Sequence, residues 1–264
     1  MQKKYEKKLF SCFFFVFRSK SSTFASMKTI ALQTIAHAHN GFTDKFGIPR
    51  QPQSLSQIET RIVFTPPFRV REALRGIEDF SHLWLIWGFS ANEGKGNASS
   101  ANDTISCAWS PTVRPPRMGG NKRMGVFATR SPFRPNPIGL SSVRLVRVEE
   151  TEKEGQVLVV AGADLMDGSP IYDIKPYLSY SDAHPEACNG FAAASKDYRL
   201  AVAWSEDIAL PGSLRQALEE ILAQDPRPAY QHDPQRVYKM EFGGVRVAFT
   251  VQNNVVYVRN AEKP

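Results

Sequence analysis

The chain has 264 residues, enough for one large or two small domains, and 42% of them are hydrophobic, enough for a true core. A formal charge of +7 and an isoelectric point near 9.3 point to an anionic partner, with nucleic acid the leading class. Cys12, Cys107 and Cys188 lie far apart and outside any CxxC pattern, which argues against a disulfide framework or a zinc site and fits a reducing compartment.

Residues 1–26 have a basic start, an apolar run over 9–17 and a Ser-rich tail. The run is short for a signal sequence, Arg18 and Lys20 follow it at once, and it cannot span a bilayer. The expectation is a non-structural extension over 1–27, with targeting the second reading. No other segment approaches a membrane span, so a cytoplasmic protein is expected. Residues 28–36, KTIALQTIA, read as a strand. A long polar loop with GIPRQP follows over 37–57. His37 and His39 in it form an HAH triplet that could chelate a metal from a strand face, but a solvated strand end fits better and no metal site is expected. A strand is expected over 58–64, a short helix over 68–77 ended by Gly76, and a strand covered on both faces over 81–89, SHLWLIWGF. Residues 92–106 are a Gly/Ser/Asn-rich insertion, and the basic loop SPTVRPPRMGGNKR follows.

Strands are then expected over 124–129, 141–149, 156–165 and 171–174, with turns at Glu154-Gly155 and Asp167-Gly168. This first part reads as a mostly-β domain, barrel or sandwich. After a small, polar linker over 179–196, a strand is expected at 198–204. An amphipathic helix follows at 213–223, with Leu214, Ala217, Leu218, Ile221 and Leu222 on one face, Pro211 at its start and Ser213 as its cap. A meander over 236–242, 245–251 and 255–259 turns at Gly243-Gly244 and Asn253-Asn254. The expected fold is mainly β: a small β-barrel domain over 28–182 and a smaller α+β domain over 183–264.

The segment 124–140, MGVFATRSPFRPNPIGL, sets Arg130, Arg134 and Asn136 among Pro132, Pro135 and Pro137. Each proline fixes its own φ and biases the residue before it toward extended backbone. The loop is therefore stiff, and suited to presenting guanidiniums and an amide to something anionic or planar. Nucleotide fingerprints are missing. GKG at 94–96 lacks a third glycine and a following apolar helix, no Walker loop is present, and DGSP at 167–170 is a turn rather than a nucleophile elbow. Asp164, Asp167 and Asp173 cluster around that turn, where they could hold a hydroxyl-bearing or cationic ligand or tie down their own backbone.

The segments IPRQP, RGIEDFSHLWLIWGF, PTVRPPRMGGNKRMGVFATRSPFRPNPIGLS, DLMDGSPIYDIKPYL and LAQDPRPAY together resemble the YaeB/TsaA-like family, from residue 28 to the C-terminus. The resemblance implies a β-barrel methyltransferase that uses S-adenosylmethionine to methylate N6-threonylcarbamoyladenosine beside the tRNA anticodon. It also implies a homodimer with the cofactor pocket near the interface. By the family's pattern Pro49, Arg50, Gln51, Arg130, Leu140, Asp164, Leu165, Met166 and Asp167 contact the cofactor. Arg134, Asn136, Lys175 and Arg227 are candidates for the RNA or the threonyl carboxylate, since guanidinium forks match such anions. Tyr177 and Tyr230 are candidates for stacking on bases. Asp167 and Asp173 are candidate proton acceptors, and the sequence does not choose between them. The rival readings are a non-catalytic RNA-binding module and the same chemistry on a different acceptor.

Overall fold

The structure, a computed structural model, describes residues 30–48, 58–89, 109–115, 122–195, 198–228, 230–231 and 233–263. The chain falls into two compact units, Met1–Leu32 and Gln33–Pro264. The described residues of the first, 30–32, carry no regular structure. The second holds the regular elements of the described residues, around two apolar cores.

One core sits inside a ring of strands: β1 (Ala36–His39), β2 (Glu59–Phe64), β3 (His82–Gly88), β6 (Ile138–Thr151), β7 (Gly155–Ala161) and β8 (Pro170–Pro176). A separate short pair, β4 (Thr112–Val113) and β5 (Met124–Gly125), lies in the connection between β3 and β6. The ring pairings run antiparallel in the order β1-β2-β7-β6-β3-β8, and β8 returns to β1 through Ala36 opposite Ile171. A ring has an inside and an outside, so its strands alternate. On β3, Leu83, Leu85 and Trp87 are buried, whereas His82, Trp84 and Ile86 face outward and are half-buried. This corrects the expectation of cover on both faces. The long apolar run reflects Trp84 and Ile86 on the outer face, where the Trp84 indole N–H donates to Asp182 at 2.8 Å.

Other boundaries move for local reasons. Of the strand expected over 28–36, residues 28–29 lie outside the described residues, 30–35 are not strand, and the first described strand is Ala36–His39. Ala36 and Ala38 are the inward, fully buried positions, and both histidines of HAH point outward. The expected helix over 68–77 is three 3-10 turns, Pro66–Phe68, Arg71–Leu74 and Ile77–Asp79, broken where Gly76 takes φ 83°. The strand expected over 124–129 stops after two residues and becomes a 3-10 turn, Val126–Ala128.

The second core lies between helix α2 (Gly212–Ala223) and a four-stranded sheet. The sheet is formed by β9 (Ala201–Trp204), β10 (Tyr238–Phe242), β11 (Val245–Gln252) and β12 (Val255–Glu262), in the order β10-β11-β12-β9 with β9 parallel to β12. Both turns fall where expected. Gly243, Gly244, Asn253 and Asn254 all take positive φ, the requirement of a two-residue hairpin turn of the primed kind. Helix α2 buries Ala217, Leu218, Ile221 and Leu222 as its spacing requires, but Pro211 occupies the cap position and Ser213 makes no cap bond. A four-residue helix, α1 (Ser179–Asp182), follows β8.

The two cores are joined by the loop between β1 and β2. Phe42 and Ile58 are buried in the second core, and Phe46 and Ile48 pack on it. Gly47, with φ 101°, brings the backbone so close that a Cβ there would lie 2.6 Å from Met240 Cε. The side chains flanking GIPRQP are therefore anchored in the second core.

Candidate functional site

Asp164 stands two residues beyond the Gly162 kink (φ 84°) that ends β7, between the buried Ala163 and Leu165. Ser141, 1% exposed on β6, donates its hydroxyl to Asp164 Oδ1 and accepts the Trp87 indole N–H at 2.9 Å. Burial pushes the Asp164 carboxyl up to about 6, against the opposing pulls of the Ser141 hydrogen bond and the Arg130 charge. Arg130, at the start of the proline loop, thus lies close enough to Asp164 to act on it, so the structure brings together two of the expected cofactor contacts.

The rest of DLMD is held by one side chain that carries no motif, Asn40. Its amide donates to the Leu165 carbonyl at 3.0 Å and to Thr60 Oγ1 at 3.3 Å, and its side-chain oxygen accepts from Phe42 N–H at 2.9 Å. The Asn40 N–H donates to Asp167 Oδ1 at 3.0 Å. Asp167 also faces His39 at 3.5 Å, and its own N–H donates to the Phe42 carbonyl. Leu165 is fully buried in the ring's core, with its carbonyl taken by Asn40; Met166 is half-buried. Sequence reasoning misses Asn40 because it sits in a polar loop. Its one sequence signal is its place beside Gly41, a turn-forming pair.

A second group of expected residues lies on the outer face of β6, β3 and β8. Leu140 is opposite Ile86, which is opposite Asp173; Trp84 is opposite Lys175. Lys175 Nζ pairs with Asp173 at 3.0 Å. The Tyr177 ring lies 5.5 Å from Trp84, and Trp84 is pinned by Asp182, which also accepts the Leu178 N–H at 3.0 Å. Leu140 is 54% exposed. Because Ser141 points inward to Asp164, its neighbour Leu140 points to the opposite face of the strand.

The proline loop is stiffened by its own arginine. Arg134 donates to the Ser131 carbonyl at 3.0 Å, the Val126 carbonyl at 3.2 Å and the Thr129 carbonyl. Asn136 is exposed, and its carbonyl accepts from Ile138. Arg227 grips Asp225 through two bonds of 2.7 and 2.9 Å, and both side chains are about nine-tenths buried. Desolvation of Asp225 is outweighed by Arg227 and Tyr198, so its carboxyl is held below the usual range. Tyr230 is 60% exposed. Pro49, Arg50, Gln51 and the 92–106 insertion lie outside the described residues. Among the described residues, no group of His, Cys, Asp and Glu side chains is arranged to hold a metal ion.

These features define a mainly-β protein with a strand ring that carries a polar site at the β7–β8 connection and a second sheet packed beneath the β1–β2 loop. Residues 37–183 match the family model described as the tRNA-methyltransferase O N-terminal domain, and residues 198–264 match the TrmO C-terminal domain. The chain belongs to the tRNA-methyltransferase O (TrmO) family. It is 49% identical over 183 residues to a tRNA (adenine(37)-N6)-methyltransferase of Eikenella corrodens, covering 68% of this chain and 95% of that protein. It is 38% identical to the protein of the same name in Escherichia coli K12, covering 78% and 85%. A crystal structure of TrmO from Pseudomonas aeruginosa superposes with a TM-score of 0.69 at 32% identity, covering 91% of this chain and all of that one.

Proposed function

We propose that this chain is an S-adenosylmethionine-dependent tRNA methyltransferase that methylates N6 of threonylcarbamoyladenosine beside the anticodon. The observation that carries the reading is the part-buried Asp164 at the β7–β8 connection, held by Ser141 and within the field of the Arg130 charge, in a chain whose relatives are named tRNA (adenine(37)-N6)-methyltransferases. The cofactor carries an ammonium, a carboxylate and a sulfonium. A partly buried carboxylate beside a guanidinium is a donor set that fits it.

In this reading residues 28–182 form the cofactor domain and residues 183–264 assist with tRNA. Arg130, Leu140 and the DLMD segment hold the cofactor together with Pro49, Arg50 and Gln51. S-Adenosylmethionine supplies a methyl group on a sulfonium, activated for in-line displacement. The protein's part is alignment and proton removal. The acceptor nitrogen belongs to a urea and is a weak nucleophile, so a carboxylate must take its proton. Asp173 and Asp167 are the two candidates. Asp173 stands on the outer face beside Lys175, where a large substrate has access. Asp167 is engaged by Asn40 and His39.

Leu140 and Asp164 face opposite sides of the ring, so one cofactor cannot readily lie between the two side chains within one subunit. A homodimer that carries the outer face of one copy onto the rim of the other would unite them. This supports a pocket near a subunit interface. No helix among the described residues is long and apolar enough to cross a membrane, and we place the protein in the cytoplasm with its tRNA.

The deciding measurement is methyl transfer to threonylcarbamoylated and to unmodified tRNA in parallel, read by nucleoside mass spectrometry. Product on the threonylcarbamoylated tRNA alone is expected. Methylation of both would move the acceptor assignment to adenine itself. Absence of cofactor binding by calorimetry would favour a non-catalytic RNA-binding module.

A further inference from the structure

We infer that Trp87 and Ser141 are positioning residues that hold Asp164 ionised through a hydrogen-bond relay of fixed direction. The part the relay plays in cofactor binding rests on the proposed assignment of Asp164 to the cofactor site; the relay itself rests on geometry.

An indole N–H can only donate, and a serine hydroxyl has one proton to give. The Trp87 N–H lies 2.9 Å from Ser141 Oγ and occupies one of its lone pairs. The serine proton is thereby committed to Asp164 Oδ1. A neutral carboxyl protonated at that oxygen would meet a donor head-on, so the relay favours the carboxylate. Ser141 is 1% exposed and Trp87 6%, leaving little access for water to exchange with either partner. The indole is locked in place. Gly139 lies opposite Trp87 on β6, and a Cβ there would overlap the ring. On another side the ring packs against Phe89, with centroids 4.4 Å apart. The glycine in this strand is therefore where the indole lies, and the indole sets the serine.

Among the described residues, the charged group whose field bears on Asp164 is Arg130, which also favours the anion. The neighbouring Asp167 is turned to Asn40 and His39. Burial opposes both the relay and Arg130. Burial outweighs them and lifts the carboxyl to about 6, so losing one hydrogen bond to the anion raises it further, toward neutral pH.

The test is a carboxyl carbon-13 NMR titration of Asp164 in the full chain, together with calorimetric binding of S-adenosylmethionine at pH 6 and pH 8. Trp87→Phe keeps an aromatic side chain, smaller than the indole, and removes the N–H, which frees the serine to rotate and accept from a protonated acid. Its midpoint is expected to rise by about one pH unit, and Ser141→Ala is expected to do the same. S-Adenosylmethionine binding in Trp87→Phe should then weaken about fivefold at pH 6 and hardly at pH 8, following the ionised fraction. An unmoved Asp164 midpoint in Trp87→Phe overturns the relay. Equal weakening at both pH values, which general damage to the site would produce, overturns its role in binding. Asp164→Asn separates the two layers. If that variant binds S-adenosylmethionine as the wild type does, the cofactor assignment fails, while the titration still decides whether the relay exists.

Discussion

The Gly243 N–H donates to the Gly41 carbonyl at 3.0 Å, which ties the tip of the β10–β11 hairpin to the loop that leaves β1. A Cβ on Gly41 would lie 2.9 Å from both Gly243 N and a Phe242 ring carbon. The residues on either side of Gly41 hold DLMD: Asn40 bonds Leu165 and Asp167, and the Phe42 carbonyl accepts the Asp167 N–H. Three consecutive residues thus link the second sheet to the proposed cofactor segment. Gly41→Ala is expected to cost about 1–3 kcal/mol through overpacking alone. Chemical denaturation checks this, with Gly125→Ala, where a Cβ meets nothing within 4 Å, as the neutral control. S-Adenosylmethionine affinity should fall with Gly41→Ala and not with the control.

Asp225 and Arg227 close a helix end. Asp225 takes φ 51°, just past α2, and accepts bonds from Arg227 and from the Tyr198 hydroxyl at 3.0 Å. Arg227→Ala leaves a buried carboxylate without its partner, so a loss of about 3–5 kcal/mol is expected. The folded carboxyl titrates below its unfolded value, which is about 3.9. The pair therefore contributes stability above that pH, and the contribution is lost as pH falls through the lower, folded value. Thermal unfolding between pH 2 and 5 should show this slope in the wild type, and Asp225→Asn should flatten it. If Arg227 instead chiefly contacts tRNA phosphate, Arg227→Ala will leave the unfolding temperature unchanged.

What the sequence shows of this molecule is what is local. The hairpin turns are legible because Gly-Gly and Asn-Asn are the residues that tolerate positive φ, and α2 is legible because its apolar spacing is helical. The 3-10 turns over 66–79 are not legible, since REALRG has good helix formers and only the tertiary path of the chain interrupts them. In the site, DLMD and the proline loop announce themselves as charged residues between rigid ones. Ser141 and Asn40 do not. A serine in a strand and an asparagine in a loop carry no pattern, and their roles arise from partners 23 and 125 residues away in the chain. Arg134 and Arg227 read as displayed cations because the sequence cannot show that backbone carbonyls or an aspartate already engage them.

The outer face of β6 and β3 offers Leu140 and Ile138, 54% and 36% exposed, beside Ile86. If two copies pack through this face, Leu140→Asp places a charge in a desolvated contact and should convert the dimer to monomer at micromolar concentration. Light scattering after gel filtration reads the mass. Methyl transfer should fall in parallel, since Leu140 is also assigned to the cofactor. An already monomeric wild type would sink the dimer and the interface pocket together.

Arg134 decides what the proline loop is for. Its guanidinium reaches three carbonyls of its own loop, at Val126, Thr129 and Ser131, and a planar fork suits that geometry better than an ammonium. A loop-tying role and a phosphate-binding role differ in their salt dependence. Removing one cation that pairs with a phosphate lowers the slope of log affinity against log salt by about 1. Arg134→Ala is therefore expected to weaken tRNA binding with an unchanged slope and to speed amide exchange over residues 126–134. Lys175→Ala, on the open outer face, is expected to lower the slope. A lowered slope in Arg134→Ala with unchanged exchange would show that the guanidinium leaves its carbonyls to meet the RNA, and the loop would then owe its stiffness to the prolines alone.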